Sequence, residues 1–76
     1  MELDESKIDE AVLPLLYLTL DRKTHRAWKA LDYAAMDRLY EKGFIVDPVG
    51  KTKSVVLTEH GEEMAERLAQ KLFGKN

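Results

Sequence analysis

Apolar residues recur at helical spacing near the start of the chain, in the segment SKIDEAVLPLLYLTL. One face of this predicted helix carries Ile8, Val12, Leu15, Leu16 and Thr19. Ser6 is expected to cap the first turn, with Asp9 at the third helical position, close to a capping box. Pro14 falls in line with the polar residues of the opposite face, and it removes one backbone hydrogen bond. The pattern therefore predicts a kinked but continuous first helix.

The next apolar pattern, AWKALDYAAMDRLYEKG, is helical but can be divided in two ways. Asp32 is a good N-cap, and Leu31 and Met36 then stand at the two positions of a hydrophobic staple. This favours a short helix followed by a separate helix from Asp32, which Gly43 ends. The alternative is one helix over residues 24–42, because apolar residues keep a helical period across the break.

Alternation of apolar and polar residues replaces the helical period after Gly43. FIVDP and KSVVLT are typical of two short strands joined by VGKT, so we expect an antiparallel hairpin over 44–57 with its turn near 49–52. The alternation directs Ile45, Val55 and Leu57 inward and Ser54 and Val56 outward.

Thr58 is expected to cap a last helix, which Gly74 ends. Its buried stripe is expected to contain Gly61, Met64, Ala65, Leu68 and Leu72. The element order is then helix, helix, helix, hairpin, helix. The predicted fold is mainly α with a small β-hairpin, of the α+β class. With short connections and one shared core, it is a single winged helix-turn-helix domain over residues 1–76.

Composition agrees with one small domain. The 76 residues are 45% apolar and 34% charged, which is typical of a soluble globular protein. The chain contains no cysteine, so neither disulfides nor zinc–thiolate sites can add stability. No apolar run approaches the ~18 residues of a membrane span, and the acidic start lacks the basic region of a signal peptide. We therefore expect a cytoplasmic protein with no membrane partner.

The segment LYEKGFI and the later segment VVLTEHGEEMAERL resemble the wing region of multiple-antibiotic-resistance-type winged-helix repressors. The matching positions are Leu39, Lys42, Gly43, Ile45, Val55, Leu57, Thr58 and Gly61. They are mainly architectural positions. The resemblance therefore implies a winged helix and does not by itself imply DNA binding.

Nearly the whole chain also resembles a family of short, uncharacterised bacterial proteins that is classed as a domain of unknown function. LLYLTL, AWK, MDRLYEKG and DPVGKTKSVVLTEHG carry this resemblance. It is more specific than the first resemblance, and it implies no established activity. Pro14 departs from the ordinary helix former expected at its position, which bears on the straightness of the first helix.

Catalytic residues are not evident in the sequence. Both serines already have predicted structural roles, Ser6 as a helix cap and Ser54 on a strand. The two histidines therefore have no evident nucleophile to activate. Glu59, His60 and Glu63 can lie close together on one helix, but solvated helix residues are a far more frequent explanation than a metal site. We therefore expect no enzymatic activity, no metal and no cofactor.

Local charge is more informative than the net charge of −2. The cations that double-stranded DNA would contact are Arg22, Lys23, Arg26, Lys29, Arg38, Lys51 and Lys53. Cations on the wing and near the predicted short helix would contact phosphates and give salt-dependent affinity. The helix expected to enter the major groove is less suitable, because Asp37 and Glu41 accompany Arg38 on its outward face. The expected role is regulatory recognition without catalysis, and DNA is the first partner to test.

A protein-interaction module that does not bind DNA is the alternative. The wide apolar face of the first helix and the small core favour pairing, for example as a homodimer. The candidate contact residues are Leu13, Leu20, Leu72 and Phe73. Trp28 is expected in the core more than at a binding surface, because large aromatic residues are mostly buried. A monomer in which the first helix is simply sandwiched remains open.

Overall fold

The computed structural model describes residues 1–28, 33–46 and 54–75 of the chain. These residues form α1 (Glu5–Leu18), β1 (Arg26–Trp28), α2 (Tyr33–Glu41), β2 (Ser54–Val56) and α3 (Glu59–Phe73). The predicted class is confirmed, since this part of the chain is mainly helical and carries one small antiparallel sheet.

The first helix begins one residue after Asp4, whose side chain accepts hydrogen bonds from the backbone N–H groups of Ser6 (2.9 Å) and Lys7 (3.3 Å). Asp4 is therefore the cap, and the prediction for Ser6 is wrong. The helix runs without a break through Pro14, as predicted. The Pro14 ring is fully buried, so its assignment to the polar face is wrong. An apolar ring without an N–H donor loses nothing by leaving water.

Residues 26–28 form a strand, so both helical interpretations of this segment are wrong. β1 pairs antiparallel with β2, in the register Arg26↔Val56, Ala27↔Val55 and Trp28↔Ser54. Ala27 is buried between two exposed neighbours, which is the alternation of a strand with one covered face. α2 then begins at Tyr33, directly after the predicted cap. Leu31 and Asp32 themselves lie outside the described residues.

The strand β2 lies between β1 and the segment that follows α2. The backbone N–H of Leu57 donates to the carbonyl of His25 (2.8 Å), on the side of β1. On the other side, the N–H of Val46 donates to the carbonyl of Val56 (2.8 Å), and Ile45 forms a bridge to Leu57. The two segments of the predicted hairpin therefore pair at this bridge. The more extensive pairing of β2 is with β1. The predicted turn at 49–52 lies outside the described residues.

The predicted strand faces are confirmed. Ile45, Val55 and Leu57 are buried, and Ser54 and Val56 are partly exposed. α2 ends as predicted before Gly43, whose φ of +80° suits a residue without a Cβ.

The last helix is capped as predicted. The Thr58 hydroxyl accepts a hydrogen bond from the N–H of Gly61 (2.9 Å), and Gly74 stands at the C-cap. Gly61, Ala65 and Ala69 are buried along the helix, with Met64 and Leu68 partly buried. Leu72 is 51% exposed, so its place in the buried stripe is wrong. At this end α3 has passed beyond the apolar cluster that covers its earlier turns.

The core lies where α1 packs against α3, α2 and β1. Its largest fully buried side chains are Leu13, Leu16, Met36, Leu39, Ile45 and Pro14. Leu13 therefore belongs to the core of the single chain and is not an exposed contact residue. Trp28, which was predicted inside, is exposed instead, and so is Tyr40.

Gly61 allows the first turn of α3 to lie directly on the chain that leaves α2. A Cβ built on Gly61 would stand 1.8 Å from the carbonyl oxygen of Phe44, which is a backbone atom. That same oxygen accepts a hydrogen bond from the N–H of Thr58 (3.0 Å). The contact therefore fixes the start of α3 against the sheet, and no side chain can be accommodated without moving the backbone.

Replacing Gly61 with alanine should destabilise the protein by ~1–3 kcal/mol or more, because a methyl group is forced into backbone. Within an ordinary helix the same change stabilises by ~1 kcal/mol, so the sign of the effect is diagnostic. Chemical denaturation of G61A and of the control E66A, an exposed position on α3, measures it. A stabilised G61A would contradict this packing.

Candidate recognition surface

A tight turn connects α1 to β1 and displays cations at its tip. The N–H of Asp21 donates to the carbonyl of Arg26 (2.8 Å), and the N–H of His25 donates to the carbonyl of Asp21 (2.7 Å). The Asp21 carboxylate accepts from the N–H of Lys23 (2.8 Å). These bonds close residues 21–26 into a loop that leaves Arg22 and Lys23 exposed. We call Arg22, Lys23 and Arg26 the basic turn.

His25 fastens this turn to the rest of the molecule. Its Nδ1 lies 2.7 Å from Oε1 of Glu62 on α3, and its carbonyl accepts the bond from Leu57. Its φ of +60° lies in the left-handed region, where the chain changes direction before β1. The turn is therefore held from two sides, by the sheet and by α3.

Two of the cations lie against aromatic or polar neighbours. The guanidinium of Arg22 lies 5.1 Å from the centre of the Tyr17 ring and donates to the Tyr17 hydroxyl. Arg26 Nη1 donates to Oγ of Ser54 (3.2 Å) across the sheet. Both side chains remain exposed, so their charges are available at the surface.

Trp28 stands on the same outer face of the sheet as Arg26. It is 59% exposed, although its backbone is fixed. The backbone N–H of Trp28 donates to the hydroxyl of Thr19 (3.0 Å), which in turn donates to the carbonyl of Leu16 (3.2 Å). A large aromatic ring is thus displayed in water on a backbone tied to the end of α1.

A shallow pocket of about 340 Å³ lies beside the ring. It is lined by Thr19, Asp21, Thr24, Arg26, Ala27, Trp28 and Ser54, and we call it the tryptophan pocket. Its apolar surface includes Ala27 and the indole, and its polar groups are three hydroxyls, one carboxylate and one guanidinium. The pocket therefore combines a flat apolar surface with hydrogen-bond donors and hydrogen-bond acceptors.

Arg38 has a different place from the one predicted. Its Nε lies 3.0 Å from both carboxylate oxygens of Asp9, and its Nη2 lies 2.9 Å from Oδ1. Its Nη1 also lies 3.0 Å from Glu5. Arg38 therefore joins α2 to α1, and its interpretation as a DNA contact is corrected by this intramolecular pairing.

Asp9, which the sequence pattern predicts as a capping residue, is instead the centre of that cluster. It is 3% exposed, and Lys42 Nζ lies 2.9 Å from its Oδ2. Burial alone would raise the pKa of Asp9, but the hydrogen bonds and positive charges of Arg38 and Lys42 outweigh it. The pKa of Asp9 therefore lies below its ordinary value. A carboxylate at helical spacing with Leu13 and Leu16 was the available sign of burial.

With Arg38 engaged, the outward face of α2 is acidic. Ala34, Asp37, Tyr40 and Glu41 are exposed there. Two carboxylates four residues apart repel each other and would also repel phosphates. α2 is therefore poorly suited to enter a nucleic-acid groove.

Other predicted site residues are separated from this surface or lie outside it. Leu20 is partly buried against the core, whereas Leu72 and Phe73 are exposed at the end of α3. Lys29, Lys51 and Lys53 lie outside the described residues. Across 1–28, 33–46 and 54–75, no group of three or more histidine or acidic side chains is arranged to hold a metal ion. Within the same ranges, no helix has both the length and the apolar content that a membrane span requires.

The fold and this surface define a small α+β domain with a basic and aromatic patch beside its sheet. The chain belongs to the family described as a domain of unknown function (DUF6429), whose model matches residues 4–75. It is also 55% identical over 73 residues to the uncharacterized protein y4hR of the bacterium Sinorhizobium fredii (strain NBRC 101917 / NGR234). That alignment covers 96% of this chain and 97% of the relative. The predicted membership of a short, uncharacterised bacterial family is therefore confirmed. No solved structure matches the chain.

Replacing Asp9 with asparagine should cost ~1–3 kcal/mol at neutral pH, because it removes the buried charge to which Arg38 and Lys42 are bonded. The folded pKa of Asp9 is depressed, so its stabilising effect is complete above the ordinary value of ~3.9 and is lost as pH falls through the lower folded value. Wild type should therefore lose stability in acid more steeply than D9N.

Thermal unfolding followed between neutral pH and the acid limb measures this difference. The control is E10Q, which neutralises an exposed acid on the same helix. If D9N and wild type lost stability in parallel, Asp9 would not be the titrating group.

Proposed function

We propose that this domain is a non-catalytic recognition module that binds nucleic acid through the basic turn and Trp28. The observation that carries the proposal is the display of Arg22, Lys23 and Arg26 on one hydrogen-bonded turn beside an exposed tryptophan. Phosphates contact cations, and bases contact aromatic rings, so the two chemistries that nucleic acid requires lie side by side.

Electrostatics favours this side of the molecule over α2. The basic turn has three cations. Of the acids near it, Asp21 accepts from the backbone N–H of Lys23, and Glu62 pairs with His25. Contacts between these cations and phosphates release counterions, which gives affinity that falls steeply with salt. The acidic outward face of α2 has the opposite preference.

The sequence supplies further cations next to the described ones. Lys29 is the residue after Trp28, and Lys53 is the residue before Ser54, which pairs with Trp28. Lys51 lies two residues before Lys53, in the segment predicted as a wing. These lysines extend the proposed contact set.

The fold that we propose for this arrangement is a winged helix in which β1 occupies described residues where the short second helix was expected. The order α1, β1, α2, a bridged segment, β2 and α3 supports it, as does the central position of β2. In this form the sheet side contacts nucleic acid, and α2 serves as a packing helix. The proposal therefore differs from a helix-turn-helix that inserts its second helix into the major groove.

Self-association is a second candidate function, and a specific observation favours it. Leu72 and Phe73 are 51% and 47% exposed, side by side at the end of α3. Adjacent large apolar side chains at a helix end are a common contact between copies of a chain. This pairing would leave the basic turn free, because it uses a different element.

The nucleic-acid proposal predicts that R22E/K23E will bind duplex DNA at least ~10-fold more weakly than wild type at ~50 mM salt. The dependence of the logarithm of affinity on the logarithm of salt concentration should become shallower by about two ions. Fluorescence anisotropy of a labelled duplex measures both quantities. The matched control is R67E/K71E, which makes the same charge change at exposed positions of α3.

Equal losses in the two double variants would show that only net charge matters. Absence of wild-type binding to both duplex and single-stranded DNA at this salt concentration would remove the proposed function.

The self-association candidate predicts that L72S/F73S will remain monomeric under conditions in which wild type dimerises. Sedimentation equilibrium over a range of concentrations measures the masses. The control is Y40S, which makes one exposed aromatic on α2 polar. A monomeric wild type throughout the range would exclude this candidate.

A further inference from the structure

We infer that the tryptophan pocket takes one unstacked base of a single-stranded nucleic acid, so that the domain prefers single strands to duplex. This inference rests on the proposed function and adds to it the form of nucleic acid that is bound. It follows from the exposure of Trp28, the size of the pocket and the polar groups around it.

The indole of Trp28 is available as a stacking surface. Trp28 is 59% exposed, while the neighbouring Ala27 points into the core. The backbone N–H of Trp28 donates to the Thr19 hydroxyl. In a duplex the faces of the bases are covered by their neighbours, so an exposed ring cannot stack on them without opening the helix. In a single strand the faces are accessible, and every base has one.

The size of the pocket suits one base better than a longer ligand. Its volume of about 340 Å³ lies at the small end of the ~300–1,000 Å³ that is typical of ligand pockets. The pocket is open to solvent, so a nucleotide can enter from the surface.

The polar groups of the pocket wall can bond to the edge of a base. The Asp21 carboxylate can accept from an exocyclic amino group, because it has acceptor sites beyond the one that the N–H of Lys23 occupies. The Thr24 hydroxyl can donate or accept, and the Arg26 guanidinium donates.

Cations stand where the backbone of that nucleotide would leave the pocket. Arg26 forms part of the wall, and Arg22 and Lys23 occupy the adjoining turn. One wall can therefore contact phosphate while another stacks on the base. The hydrogen bonds that close the turn and fix Trp28 hold these groups in position before binding.

The test uses the full chain, whose single tryptophan makes intrinsic fluorescence a direct report on this pocket. Wild type is titrated with oligothymidine and oligoadenosine strands of about ten nucleotides, and with the duplex that the two strands form. We expect quenching of the tryptophan fluorescence and tighter binding with at least one of the single strands. Labelled strands followed by anisotropy give affinities for variants that lack the indole.

W28L should weaken single-strand binding by about five- to 150-fold, the range measured for loss of one aromatic stack. W28F keeps a smaller ring and should lie between W28L and wild type. Y40L is the matched control, because it removes another exposed aromatic ring, on α2, and should leave affinity unchanged. Circular dichroism of each variant checks that the fold is retained.

The outcomes separate this inference from the proposal beneath it. If R22E/K23E lost binding but W28L did not, and no strand quenched the fluorescence, the base-binding pocket would be wrong and the proposed function would stand. If wild type bound neither single strands nor duplex, both would fail. If W28L instead disrupted self-association, the pocket would be a protein contact and the inference would be overturned.

Discussion

The buried carboxylate of Asp9 organises the charges of this domain. It lies on α1, and its two partners, Arg38 and Lys42, come from the end of α2 and the residues just after it. Removing a carboxylate from water is costly unless its oxygens are fully bonded, and here two cations bond them. The two helices are therefore fastened by an interaction that tolerates little displacement.

This pairing also decides which surface is left for a partner. Arg38 and Lys42 are the cations closest to the outward face of α2 in sequence, and both are turned toward Asp9. What remains exposed on that face is acidic. Positive charge that is free to meet a ligand is found instead on the turn before β1, where no comparable buried carboxylate holds it. The pairing of Arg38 and Lys42 with Asp9 thus leaves the exposed positive charge beside the sheet, where we propose the recognition surface, and not on α2.

Much of the fold follows from local patterns in the sequence. The caps at Thr58 and Gly74, the stop at Gly43 and the inward faces of the strands were predictable, because each depends on neighbours within a few residues. β1 was not, since three residues of RAW satisfy a helical period as well as alternation, and the strand exists because β2 pairs with it. The paired residues of β1 and β2 are separated by nearly thirty residues of chain.

The candidate surface was predictable in part for the same reason. The cations of the basic turn were recognisable from their run in the sequence, but their neighbours were not. Trp28 was expected inside because most tryptophans are buried, and its exposure follows from the strand, which points Ala27 inward and Trp28 outward. Asp9 was misjudged because its partners are 29 and 33 residues away.

Charge distribution explains how a protein with a net negative charge can still have a local basic surface of the kind proposed to bind nucleic acid. At physiological ionic strength, charges farther apart than ~8 Å are largely screened, so a ligand at the turn responds mainly to the groups nearest to it. There it meets the three cations of the basic turn, while Asp21 is bonded to the N–H of Lys23 and Glu62 to His25. Other exposed acids lie along α2 and α3. Those acids still act at longer range when salt is low, because they repel a polyanion from the wrong faces. The net charge of −2 and a basic turn are therefore compatible, and together they favour one orientation of approach.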